Sequence, residues 1–110
     1  MRGLTWKCQG AGRSPTIRAI KELIRVSCPD IVFLSETKLK SASIDKIKSK
    51  LNFFYSYCVD AKGKAGGLAL FWRMGVDLEV VFSDDNVIVA LIYSDPVRSP
   101  WLLFFIYGPP

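Results

Sequence analysis

One glutamate of this chain stands where its carboxylate could bind a metal ion. Glu36 follows the apolar run at residues 31–34 after a single serine, and Lys38 comes two positions later. A continuous apolar run with β-branched members is typical of a buried strand, so Glu36 is expected where that strand leaves the core. Open α/β sheets bind ligands at the carboxyl ends of their strands, and carboxylate oxygens suit Mg²⁺. The alternative is a solvated turn residue, the commoner environment of a glutamate.

The composition disfavours several other kinds of site. The chain contains no histidine, which is the usual general base near neutral pH. Cys8, Cys28 and Cys58 form no C-x-x-C pair, so we predict neither a zinc site nor a disulfide framework. Each cysteine lies beside an apolar run and is expected to be buried as a small apolar residue, which suits a reducing compartment.

The net charge of +5 is concentrated in the first half of the chain. Residues 1–55 carry eleven of the fifteen lysine and arginine residues and four of the ten acidic residues. This asymmetry is compatible with DNA or RNA as a partner, although lysines scattered on helix faces usually serve solvation alone. We predict no signal peptide and no transmembrane segment, because no run approaches the roughly 18 apolar residues that a span requires. No membrane partner is therefore expected.

The elements that would position Glu36 begin with a strand, a helix and a strand. Residues 2–8 favour the first strand, and Ser14 followed by Pro15 predicts a helix with Ser14 as its N-cap. The helix should end before Cys28, because the residue that precedes a proline is disfavoured in the helical region. If the strands pair in parallel through a right-handed crossover, residues 7–10 and 35–38 meet at one rim of the sheet.

The rest of the chain adds one helix and then strands only. Ile44, Ile47 and Leu51 mark the second helix. Apolar runs separated by turn residues predict hairpins and a final strand at residues 54–59, 68–72, 76–82, 87–93 and 101–107. The fold class is therefore α/β (α+β), with a mixed, mostly antiparallel sheet and two helices. Because two helices cover only one face, the other face must be wet or meet a second sheet.

Four segments, taken in order, resemble the endonuclease/exonuclease/phosphatase superfamily. They are WKCQG at residues 6–10, PDIVFLSETK at 29–38, GGLALFW at 66–72 and YGPP at 107–110. The chain looks most similar to the N-terminal apurinic-endonuclease-like domain of plant LINE-type (non-LTR) retrotransposon proteins. The resemblance implies the N-terminal half of a four-layer α/β sandwich, so residues 1–110 would form a partial domain, truncated at the C-terminus.

The resemblance also implies a chemistry and roles for particular residues. The family hydrolyses phosphodiester bonds of nucleic acid with a divalent metal, generally Mg²⁺, and the motif match makes Glu36 the metal ligand. Lys38 would orient that carboxylate through a charge-assisted hydrogen bond. Tyr107 would stand at the scissile phosphate; without the resemblance, it could equally be a strand-end aromatic with its hydroxyl in water. The retrotransposon context suggests DNA as the substrate and a nuclear or cytoplasmic location.

Two departures from the family pattern bear on activity. Lys7 stands where the family usually has an asparagine, and an ammonium offers donors but no acceptor, so it cannot replace the amide. The family also carries an aspartate and an asparagine in a G-D-F-N-like motif and a histidine in an S-D-H-like motif. Neither motif occurs in these 110 residues. Because losing one preorganised catalytic group commonly costs about a hundredfold or more, we expect an inactive fragment.

Two other hypotheses remain open from the sequence. The first is a non-enzymatic module that holds nucleic acid by phosphate contacts from basic side chains of the first half: Arg13, Arg18, Lys21, Arg25, Lys46, Lys48 and Lys50. The second is an active Mg²⁺-dependent phosphodiesterase completed by another chain.

Overall fold

The computed structural model describes residues 2–93 and 100–107, and within them the chain forms two helices and seven strands in two sheets. Residues 108–110 of the YGPP segment lie outside the described residues. The elements, in chain order, are β1 (Gly3–Lys7), α1 (Ser14–Ser27), β2 (Ile31–Ser35), α2 (Ser41–Lys50), β3 (Tyr55–Val59), β4 (Leu68–Trp72), β5 (Asp77–Ser83), β6 (Val87–Tyr93) and β7 (Trp101–Ile106).

The first sheet is mixed and has the strand order β1-β2-β4-β3. β1 and β2 are parallel, with Lys7 opposite Ser35, while β4 pairs antiparallel with both β2 and β3. This confirms the predicted strand-helix-strand unit and the first hairpin. It also brings the carboxyl ends of β1 and β2 to one rim of the sheet, as the crossover argument requires.

The second sheet is antiparallel, in the order β5-β6-β7. The predicted α/β (α+β) class with two helices is confirmed. The later strands form a separate sheet, which covers the second apolar face of β2 and β4. In β2, Val32 and Leu34 pack against the helices, whereas Ile31 and Phe33 pack against the second sheet. A strand buried on both faces needs a layer on each side, so the layers are helices, first sheet and second sheet.

The first helix begins at Ser14, the residue that was predicted to be its N-cap. Arg13 is the N-cap and makes no side-chain capping hydrogen bond, so the prediction that Ser14 caps the helix is wrong; Pro15 lies in the first turn as expected. The helix ends at Ser27, and Cys28 adopts the left-handed conformation with φ 46°. Its amide donates to the carbonyl of Ile24, which satisfies one of the last helical acceptors.

The cysteines differ in burial. Cys8 is buried as predicted, but Cys28 is exposed and Cys58 is only partly buried, so burial was wrongly predicted for Cys28. The reason is the helix end: a residue in the left-handed conformation after the last turn lies at the surface, where the chain reverses direction.

The far face of the second sheet carries exposed apolar side chains. Leu102, Phe104 and Ile106 alternate along β7 and are each more than half exposed. Their partners across the ladder are Leu91, Val89 and Val87, all on the same face. Within residues 2–93 and 100–107, no helix is long and apolar enough to cross a membrane.

Candidate functional site

The site lies at the carboxyl end of β2, where Glu36 leaves the first sheet. Its side chain is 19% exposed, and Oε1 accepts a hydrogen bond of 2.5 Å from the hydroxyl of Tyr107. The ammonium of Lys7 lies 3.8 Å from the same oxygen and 5.7 Å from the centroid of the Tyr107 ring. The sequence singled out four residues, and three of them, Lys7, Glu36 and Tyr107, therefore meet around Oε1 of Glu36.

The backbone of Glu36 is held from the neighbouring strand. The parallel ladder of β1 and β2 continues beyond the strands, because the amides of Cys8, Gly10 and Ala11 donate to the carbonyls of residues 35, 36 and 37 at 2.8–2.9 Å. Glu36 itself adopts φ 51°, an uncommon conformation for a residue with a side chain. These bonds fix that conformation, and with it the direction of the carboxylate.

A second set of bonds holds the segment from the β4 side. The amides of Thr37 and Lys38 donate to the carbonyls of Gly67 and Gly66, at 3.1 and 2.9 Å. Gly67 has φ 94°, and a Cβ there would lie 2.3 Å from Oγ1 of the fully buried Thr37. Only glycine fits this close approach. Gly66 and Gly67 were noted in the sequence only as the start of the GGLALFW segment, and their role in positioning Glu36 has no signal in a single sequence.

Lys38 does not make the contact that the sequence analysis predicted. Among the described residues, Glu36 forms its ion pair with Lys7, and none is formed with Lys38. Lys38 has φ 57°, and its Cδ would lie 4.0 Å from a Cβ placed on Gly10. The aliphatic part of Lys38 thus lies beside Gly10, whereas Lys7 reaches Glu36 from the adjacent strand.

Tyr107 brings the second sheet into the site. It follows β7, and its amide donates to the carbonyl of Asn86 at 2.7 Å, which anchors it to the turn before β6. The pKa of its phenol is raised, chiefly because the hydroxyl donates to Glu36 and further through partial burial and the charge of that carboxylate. The phenol is thus a proton-bearing donor at this rim.

Cys8 is a neighbour of the site that the sequence analysis did not assign to it. Burial, followed by the negative charge of Glu36, raises the pKa of its thiol to about 12. The thiol therefore stays protonated across the physiological range, so it packs as a small apolar group and is not a nucleophile.

The site lies between two openings of the surface. A cleft of about 560 Å³ between β1 and β7 is lined by Lys7, Ser35, Phe33 and Phe105, among others. A smaller cavity of about 180 Å³, with Gly67, Asp85 and Tyr107 in its wall, lies on the β4 side. Lys7 lines the first opening and Tyr107 the second, so the two contacts of Glu36 each border one of them.

The described residues do not by themselves fit a resident Mg²⁺ ion. Mg²⁺ prefers six oxygen ligands, often one or two carboxylates completed by waters and phosphate oxygens. Glu36 brings one carboxylate, and no group of three or more Asp, Glu, His or Cys side chains that could hold a metal is found in residues 2–93 and 100–107. The ammonium of Lys7 also lies 3.8 Å from Oε1 of this carboxylate, where it competes with a metal ion.

Comparisons with known proteins agree with this architecture. A sequence model described as the Endonuclease/Exonuclease/phosphatase family matches residues 4–107. The AP endonuclease LMAP from Leishmania major is 19% identical and superimposes with a TM-score of 0.66, over 94% of this chain and 38% of that one. No curated protein sequence matches this chain significantly.

Two other solved structures are similar to a comparable extent. The catalytic domain of APE2 from Xenopus laevis is 16% identical, with a TM-score of 0.68 over 100% of this chain and 46% of that one. The 3'-5' exonuclease NExo from Neisseria meningitidis is 22% identical, with a TM-score of 0.57 over 84% and 38%. This chain therefore spans less than half the length of each of these structures, and the likeness concerns the fold.

Proposed function

Because the chain belongs to the endonuclease/exonuclease/phosphatase family, we propose that it carries one corner of a nuclease site and that these 110 residues alone do not hydrolyse phosphodiester bonds. The observation that carries this proposal is the meeting of Glu36 and Tyr107 at the carboxyl end of β2. These are the residues that the motif resemblance relates to the metal ligand and to the scissile phosphate. Their contact from two different sheets supports a common site.

The proposed inactivity follows from what hydrolysis of a phosphodiester requires. A water must be activated, the developing charge on the phosphoryl oxygens must be stabilised, and both must be aligned. Oε1 of Glu36 already accepts a hydrogen bond from the Tyr107 hydroxyl and lies 3.8 Å from the Lys7 ammonium, so it is not free to bind the attacking water. The chain has no histidine to serve instead. Each missing group typically costs about a hundredfold or more, so turnover falls below detection.

The substrate class that we propose is DNA, through a relationship to the nuclease domain of plant LINE-type retrotransposon proteins. The order of the four sequence segments supports this origin, and the solved structures of similar fold are named as an AP endonuclease, an APE2 catalytic domain and a 3'-5' exonuclease. Lys7 and Lys38 place two cationic donors at the rim of β2, where phosphate oxygens would find partners.

The inactivity is tested by incubating supercoiled plasmid with Mg²⁺ and either the wild-type chain or Glu36→Ala. We expect nicking at the buffer background for both. Mg²⁺-dependent nicking by the wild type that Glu36→Ala abolishes would show instead that the chain is a complete enzyme.

The location of nucleic-acid contact is tested by ¹⁵N NMR with a short DNA duplex. We expect shifts of amide signals at residues 7–11 and 36–38, weakened as salt rises because phosphate contacts release counterions. Shifts that avoid this rim would contradict the proposed site.

A second candidate function is a basic nucleic-acid-binding module that uses the opposite end of the fold. A groove of about 390 Å³ there is lined by Lys21, Arg25 and Arg73. Arg73 follows β4, which runs antiparallel to β2, so this groove lies at the end of the sheet away from Glu36. Nε of Arg73 donates to the carbonyl of Pro29 and its guanidinium stacks on Phe53, so the cation is held in place. In the same NMR titration, shifts confined to this groove would favour the module.

A further inference from the structure

The ammonium group of Lys7 lies beside Glu36 at the rim of β1 and β2. We propose that the ammonium of Lys7 takes the place of a divalent cation beside Glu36, so that an internal ion pair closes this corner of the site to metal. This inference rests on the proposed function, because it assumes that Glu36 occupies a metal-ligand position. It goes further by assigning Lys7 a role: it decides which cation the carboxylate accepts.

The first support is the convergence of contacts on one oxygen. Nζ of Lys7 lies 3.8 Å from Oε1 of Glu36, and the hydroxyl of Tyr107 donates to the same Oε1. The ammonium also lies 5.7 Å from the centroid of the Tyr107 ring, within the range of a cation–π interaction. Lys7 therefore lies beside a carboxylate and an aromatic ring, and Tyr107 contacts both Lys7 and Glu36.

The second support is that the pairing of β1 with β2 places Lys7 beside the Glu36 carboxylate. In the parallel register of β1 and β2, Lys7 lies opposite Ser35, the residue before Glu36. The hydrogen bonds from Cys8 to Ser35 and from Gly10 to Glu36 continue this register on either side of the pair. The register of the two strands thus brings the last residue of β1 next to the segment that carries the Glu36 carboxylate.

The third support is the local balance of charge. Glu36 and Lys7 together are neutral, and no other acidic side chain in residues 2–93 and 100–107 joins them to form a metal-binding group. A divalent ion on Oε1 would approach the ammonium to within roughly 5 Å, where the repulsion amounts to about a tenfold loss of affinity even in water. The effect is larger at Glu36, which is only 19% exposed.

The test measures Mn²⁺ binding to the whole chain by paramagnetic broadening of ¹⁵N amide signals near Glu36. The variants are Lys7→Met, which removes the charge and keeps the length, and Lys7→Arg, which keeps the charge. Lys7→Asn is a second uncharged variant in case methionine disturbs the fold, and an unchanged amide spectrum away from the rim shows that each variant is folded. We expect Lys7→Met and Lys7→Asn to bind Mn²⁺ at least about tenfold more tightly than the wild type and Lys7→Arg.

The outcomes separate this inference from the proposed function. Equal Mn²⁺ affinity of the wild type and Lys7→Met at Glu36, or no binding by any variant, overturns the role of Lys7. Tighter binding by Lys7→Met that persists in Lys7→Met/Glu36→Gln shows that the freed site does not use Glu36, which overturns the assignment of Glu36 as a metal-ligand position. Tighter binding that Glu36→Gln removes supports both.

Discussion

The hydroxyl of Tyr107 donates a hydrogen bond to Oε1 of Glu36, a residue 71 positions away in the sequence and in the other sheet. The bond joins the end of β7 to the end of β2, so it connects the two sheets at the candidate site. It is also the main reason that the pKa of Tyr107 is raised, because a donor bound to a carboxylate holds its proton more firmly.

Replacing the carboxylate should lower the pKa of this one tyrosine. In Glu36→Gln, the phenol of Tyr107 loses both the charged acceptor and the negative charge that disfavour the phenolate, so its pKa should fall towards the ordinary value for tyrosine. The measurement is an alkaline titration of the ring carbon signals by NMR. An unchanged titration of Tyr107 would contradict the hydrogen bond.

A second tyrosine in the chain provides a matched control. The hydroxyl of Tyr93 donates to Oε2 of Glu79 at 3.1 Å, which also raises its pKa. Glu79→Gln should lower the pKa of Tyr93 without affecting Tyr107, and Glu36→Gln should do the reverse. A shift of both tyrosines in either variant would indicate a general loss of structure.

Gly67→Ala should destabilise the fold strongly. The new Cβ would lie 2.3 Å from Oγ1 of Thr37 and 3.2 Å from the amide of Lys38, at φ 94°. Steric overlap and backbone strain together should lower the free energy of unfolding by about 3 kcal/mol or more. Urea denaturation measures this.

Gly63→Ala is the control for Gly67→Ala. Gly63 also has positive φ, at 62°, but a Cβ there meets no atom within 4 Å. It should cost only about 1 kcal/mol, the conformational penalty alone. Similar losses in the two variants would show that the close approach to Thr37 does not matter.

Much of the fold could be predicted from local pattern. The spacing of Ile17, Ile20 and Ile24 marks the buried face of α1, and the alternating and continuous apolar runs mark the strands. The run at residues 31–34 even indicates burial on both faces, which the helices and the second sheet provide. Such signals are readable because each depends on neighbours within a few residues.

The contacts of the site could be predicted only in part. The family resemblance suggested Lys38 as the partner of Glu36, but Lys7 pairs with Glu36 instead, from another strand. The fit of Gly67 against Thr37 is likewise invisible, because it depends on how β4 approaches the end of β2. Non-local contacts of this kind follow from the packing of whole elements.

The buried thiol of Cys8 should make stability depend on pH in the alkaline range. Its pKa is raised from 9.0 to about 12 in the folded chain, so its contribution is fully present below pH 9 and is lost as the pH rises towards 12. In that interval, the free energy of unfolding should fall by about 1.4 kcal/mol per pH unit from this group. Cys8→Ala should show a shallower decline in urea denaturation at pH 8–11; an identical slope would contradict this.

The exposed row on β7 should promote self-association. Leu102 and Phe104 are 51% and 58% exposed and lie on one face with their apolar partners on β6. Contiguous apolar surface of this kind drives association and binds hydrophobic dyes. Leu102→Gln/Phe104→Gln should therefore lower 8-anilinonaphthalene-1-sulfonate fluorescence and weaken association in sedimentation velocity, with unchanged circular dichroism. Met74→Gln is the control, since Met74 is 66% exposed but lies on the turn between β4 and β5; an equal effect there would remove the special role of the β7 row.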